Sequence, residues 1–173
     1  MKLHRIRIEQ FRKFNRPIEI AGLEEGLNVL HGPNEAGKST IAAALRTLFL
    51  EKHNTKGDDF ISLLSPAGGG NAAPTVAAEF SLLGQECQAC KTFFVKPRAR
   101  LTIGTESWEG GDADEQLASR LGFGLSGKGA SRPETRGIPG LLWIEQGSSS
   151  VLEQPVTNAE ASLAERLKSI MGD

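Results

Sequence analysis

The chain has 173 residues, 39% of them apolar and 24% charged, the size and balance of one soluble domain, or one lobe of a larger one, with a buried core. A net charge of -1 argues neither for nor against a nucleic-acid partner, and two cysteines, Cys87 and Cys90, exclude a disulfide framework. No apolar run is long enough to span a membrane, and the charged N-terminus lacks a secretory core, so a cytoplasmic chain without a membrane partner is expected.

Residues 3–9 alternate, with Ile6 and Ile8 on one face and Arg5, Arg7 and Glu9 on the other, which predicts a half-buried strand. Residues 17–21 predict a second short strand. A third is expected at 27–31, opened by Gly26 and carrying Leu27, Val29 and Leu30. After a glycine-rich turn, Ile41, Ala44, Leu45, Leu48 and Phe49 recur at helical spacing, so residues 37–50 form a helix with one buried face. Residues 53–73 read as a loop. Strands at 76–82, 86–95 and 100–105, punctuated by Gly84 and Pro97, form an antiparallel meander within 75–109.

Residues 112–121 predict a short helix, with Asp112 and Glu115 spaced as a capping box and Gly122 placed to end it. Residues 122–140 are rich in Gly, Ser and Pro and read as a loop. A brief apolar strand follows at 141–144. The last helix spans 158–171, with Leu163, Leu167, Ile170 and Met171 on one face.

The turn before the first helix reads Gly32-Pro33-Asn34-Glu35-Ala36-Gly37-Lys38-Ser39, a full match to G-x-x-x-x-G-K-[ST]. Gly32 and Gly37 allow the tight turn that points backbone N–H groups of Asn34, Glu35 and Ala36 inward, around a β-phosphate. The helix that starts near Gly37 adds its positive end, and Lys38 adds a point charge for the β- and γ-phosphates. The Ser39 hydroxyl is a ligand for Mg²⁺, and Thr40 is placed to donate to the α-phosphate. The apolar strand expected before the loop and the amphipathic helix after it supply the context this motif needs. The cofactors expected are therefore ATP and Mg²⁺. Residues 122–129 imitate the motif with Gly127-Lys128-Gly129, but lack the metal-binding hydroxyl, and Pro133 forbids a long helix there.

With these features the chain resembles the N-terminal half of the ATPase head of SMC-like proteins, the RecF and SbcC group within the ATP-binding-cassette class. The resemblance is carried by the first strand running into Phe11-Arg12-Lys13-Phe14, the early P-loop, the meander, the strand ending in Glu145-Gln146-Gly147, and the final helix where a coiled coil begins. It implies an α/β P-loop NTPase fold of the ABC/SMC head type, an N-terminal lobe with the antiparallel meander packed beside the P-loop helix. It implies that residues 141–147 form a strand and Q-loop and that 157–172 lead towards a coiled coil. Gln146 would then be catalytic with Lys38, ligating Mg²⁺ or positioning water, and Arg12 would approach the phosphates. Thr55-Lys56-Gly57 resembles a segment near the nucleoside.

The chain also departs from that family. It has no run of four apolar residues ending in Asp-Glu, hence no Walker B, and no switch histidine or D-loop. Leu125-Ser126-Gly127 echoes the signature motif but precedes Gln146, in the wrong order. The chain therefore reads as half a head, a fragment or a subunit completed by a second polypeptide, which alone binds nucleotide better than it hydrolyses it. The resemblance implies ATP hydrolysis in a complete head, head dimerisation with ATP, a C-terminal half as partner, and DNA with a nuclease or effector subunit. A repair or chromosome-maintenance ATPase is the leading reading. The alternatives are an ATPase controlling an effector in defence or signalling and, last, a transporter ATPase.

Other features read as structural. Cys87-Gln-Ala-Cys90 has no second pair for zinc and lies in a strand pattern. His4, His31 and His53 read as isolated, and Trp108 and Trp143 as packing residues. Lys91, Lys96, Arg98 and Arg100 are candidate DNA contacts, set against an ordinary solvated face.

Overall fold

The computed structural model describes residues 1–56, 60 and 72–122. Gln146, the strand and Q-loop at 141–147, the helix at 158–171, Gly57 and the stretch 123–140 lie outside the described residues. The chain divides into two compact units, Met1–Gln116 and Leu117–Asp173.

The first unit is built on one six-stranded antiparallel sheet in the order β2-β1-β3-β4-β5-β6. Its strands are β1 (Lys2–Glu9), β2 (Ile18–Ala21), β3 (Thr75–Leu82), β4 (Gln85–Thr92), β5 (Arg98–Ile103) and β6 (Glu106–Glu109). Period-two alternation sets the faces. Ile6, Ala78, Ala89 and Leu101 align across four strands as one row of the inner face. Ile8, Val76, Lys91 and Ala99 form the next row, and Phe80, Cys87 and Ile103 a third. Arg7, Ala77, Cys90, Arg100 and Glu109 form a row of the opposite face. Cys87 and Cys90, three apart in a strand, thus point to opposite faces.

Helix α1 (Lys38–Leu50) buries Ala44, Leu48, Phe49 and Leu50. Its Phe49 ring meets Phe80 of β3 edge to face, with centroids 5.4 Å apart. Burying side chains of this size is worth about 1.5–3 kcal/mol each, so this face of α1 is held to the sheet mainly by apolar area.

Four expectations need correction. Residues 27–31 are not a strand; Leu27 is 92% and Val29 72% exposed, and no strand among the described residues pairs with them. A strand is defined by its partner, which an apolar run cannot supply alone. The predicted strand at 86–95 stops at Thr92, where the chain turns and Phe94 and Lys96 take positive φ. The strand expected at 100–105 ends at Ile103, where Gly104 at φ 56 turns the chain back into β6. The helix α2 (Gly110–Leu121) starts at Gly110, so Asp112 lies in its first turn and is not the N-cap of a capping box. It contributes as an acidic group near the helix's positive end. Gly122, at φ 81, ends α2 as expected and donates to Ser119 O at 3.0 Å. Among the described residues no helix is long and apolar enough to cross a membrane.

Candidate nucleotide-binding site

The loop at residues 32–40 enters α1 through Gly37, the N-cap, at φ 98 and ψ 12. This left-handed conformation suits glycine. Space demands it too: a Cβ on Gly37 would stand 2.5 Å from Cζ of Phe14. The cap makes no side-chain hydrogen bond, so it offers no side-chain acceptor to the opening N–H groups of α1. Those groups and the helix dipole favour an anion at this end.

Lys38 donates to Gly32 O and to Pro33 O, both at 2.8 Å. Its amine is thereby folded over the start of the loop. Asn34, Glu35, Ala36 and Ser39 are exposed, whereas Thr40 is buried in the first turn of α1. The sequence-predicted set at 34–40 is thus brought together on one loop and one helix end. Its exposed hydroxyl at Ser39 is of the right chemistry for Mg²⁺.

Arg12 lies on a turn whose next two residues, Lys13 and Phe14, reach the loop. Phe11 and Phe14 exchange backbone hydrogen bonds of 3.0 and 2.9 Å, closing a tight turn between β1 and β2. Phe11 is fully buried, and Arg12 crosses the turn at φ 49, half-buried. The turn delivers Phe14 against Gly37 and Lys13 to Glu35, whose carbonyl oxygen accepts from the Lys13 amine. Neither Phe14 nor Lys13 carried a sequence signal for this contact. Thr55 is half-buried and its N–H donates to Lys52 O at 3.1 Å.

Two further readings change. Lys91 leaves the candidate DNA-contacting group: it is 3% exposed, on the inner face, and donates to Glu51 O at 2.7 Å. Arg98, Arg100 and Lys96 are exposed. His53 is not isolated, since its Nδ1 lies 2.6 Å and its backbone N–H 3.1 Å from Asp114 Oδ2. Asp114 Oδ1 lies 2.9 Å from the Lys91 amine. This buried group ties the end of α1 to β4 and α2. Burial pulls the Lys91 amine below its ordinary value, against the pull of Asp114 and Glu51 in the other direction. The signal was present in the sequence: Cys87, Ala89 and Lys91 share one period-two register, which puts a lysine on the apolar face.

The family model described as AAA ATPase domain matches residues 1–101. Among solved structures, a chain from work on ATP-driven dimerization and DNA-stimulated activation of SMC ATPases is similar at 16% identity. The match covers 90% of this chain and 99% of that one, with a TM-score of 0.49. The SMC head domain from Thermotoga maritima is similar at 21% identity, over 62% of this chain and 39% of that one, with a TM-score of 0.40. No curated protein matches the sequence.

Proposed function

The chain belongs to the AAA ATPase domain family, and from that premise we propose that it is the ATP-binding lobe of an SMC-like ATPase head acting in DNA repair or chromosome maintenance. The observation that carries the nucleotide reading is the loop at 32–40, turned by Gly37 at φ 98 into the uncapped start of α1, with Lys38 folded over it. Lys38 would exchange the carbonyl oxygens of Gly32 and Pro33 for phosphate oxygens, which accept more strongly from an ammonium. The backbone of Asn34, Glu35, Ala36 and Gly37 would line the phosphates, and Thr40 would donate to the α-phosphate. Ser39 and Gln146 would hold Mg²⁺, and Arg12 would approach the phosphates from its turn. Mg²⁺ supplies neutralisation of triphosphate charge when bound.

Hydrolysis belongs to the complete head in this reading, since the chain carries no Walker B motif. The exposed Leu27, Val29 and Leu30 support the C-terminal half of the head as a partner, because an exposed apolar stretch next to the loop is suited to burial against another surface. ATP would then bring two such heads together. A cytoplasmic location follows from the same reading.

The test is a titration of the purified protein with a fluorescent ATP analogue, with and without Mg²⁺. Magnesium-dependent affinity that disappears in Lys38→Ala is expected; unchanged affinity in that variant would remove Lys38 from the site. In the complete head, Gln146→Ala should preserve binding and cut turnover. DNA should stimulate turnover, with stimulation falling steeply as salt rises. Turnover indifferent to any DNA would sink the repair reading while leaving nucleotide binding intact.

A further inference from the structure

Building on the nucleotide reading, we infer that Lys13 is a positioning residue for the phosphate loop, one that holds Glu35 in the left-handed backbone conformation the loop requires. The loop makes its turn with two left-handed residues, Glu35 at φ 67 and Gly37 at φ 98. Gly37 adopts that conformation without steric cost. Glu35 does not, because its Cβ crowds the adjoining backbone. A non-glycine residue stays there only where its surroundings hold it.

Lys13 supplies that hold. Its amine donates to the Glu35 carbonyl oxygen and lies 3.7 Å from the Glu35 carboxylate. One cation thus grips the backbone and the side chain of the strained residue. The carboxylate is 90% exposed, so the ion pair is screened by water, and the bond to the carbonyl oxygen fixes the peptide. Lys13 is itself fixed by its turn, with Phe11 buried on one side and Phe14 against Gly37 on the other. The two amines divide the loop between them, Lys38 on Gly32 and Pro33, Lys13 on Glu35.

The competing role for Lys13 is direct contact with a phosphate oxygen, and a double-mutant cycle separates the two. MgATP affinity is measured for the wild type, Lys13→Ala, Glu35→Gly and the double variant of the full-length protein. Lys13→Ala should weaken binding roughly tenfold, since a left-handed non-glycine residue left unsupported costs about that factor. Glu35→Gly supplies the reference affinity of a loop that needs no such hold. Lys13→Ala placed on Glu35→Gly should cost less than about twofold, because glycine needs no support. The same roughly tenfold loss in both backgrounds would make Lys13 a phosphate ligand and overturn the inference, as would no loss in either. Absence of MgATP affinity in the wild type would overturn the nucleotide reading itself. Amide exchange at residues 34–37 of the nucleotide-free protein reads the hold independently: faster exchange in Lys13→Ala supports it, and identical exchange overturns it.

Discussion

Phe14 lies where a side chain on Gly37 would have to go: the missing Cβ would meet Cζ of the ring at 2.5 Å and Cε1 at 2.8 Å. The turn between the first two strands thus sets the shape of a loop that follows it in the chain. Gly37 answers two demands at once, a φ of 98 and a ring against its Cα.

Gly37→Ala should therefore suffer twice. The backbone conformation alone costs about 1–3 kcal/mol for a non-glycine residue. Displacing the Phe14 ring adds to that. We expect ATP affinity to be lost and the melting temperature to fall. Adding Phe14→Ala should recover part of the melting temperature, since it relieves the ring contact and leaves the backbone strain. Wild-type affinity in Gly37→Ala would show that the loop does not need this conformation.

The buried Lys91–Asp114 pair makes a different prediction. Lys91→Met leaves a buried Asp114 carboxylate that keeps its bonds to His53 but no cation from Lys91, and breaking such a pair costs about 3–5 kcal/mol. Lys91→Met with Asp114→Asn should recover part of that loss, because the amide still accepts from His53 and the buried Asp114 charge is gone, while Glu51 still loses its cation. Urea unfolding of the two single variants and the double measures this. A double variant as unstable as the sum of the singles would show that the pair is not coupled.

Lys91 also sets a pH dependence. Burial lowers its pKa in the folded chain below the ordinary 10.5, so the folded state releases this proton first. Between the folded and unfolded values the unfolded chain binds more protons. Stability from this group therefore rises with pH across that window, is complete above 10.5, and is lost as pH falls through the folded value. The slope approaches about 1.4 kcal/mol per pH unit at most. Unfolding free energies on the alkaline side should rise more with pH in the wild type than in the Lys91→Met, Asp114→Asn variant. Parallel curves would contradict a depressed Lys91.

Val29→Asp tests the exposed apolar segment. Val29 is 72% exposed, so the chain alone should change stability by less than about 0.5 kcal/mol. Association with the C-terminal half of the head, measured by titration, should be lost, because a carboxylate would be buried without a partner. Unimpaired association would place that partner elsewhere.

Much of this molecule can be read from short stretches. The phosphate-loop motif is contiguous, so its chemistry is legible residue by residue. The alternation of Ile6 and Ile8 with Arg5 and Arg7, and the helical spacing of Ala44 and Leu48, report which face is buried. Even Lys91 shows its inward register. Periodicity names a face and leaves the partner unspecified. Only the folded chain decides that residues 27–31 lack a strand neighbour among the described residues, that Lys13 reaches Glu35 across 22 positions, and that His53 finds Asp114 across 61. Such contacts depend on how the antiparallel strands stack and turn, since hydrogen bonds and ion pairs act at about 3 Å in space whatever the distance along the chain.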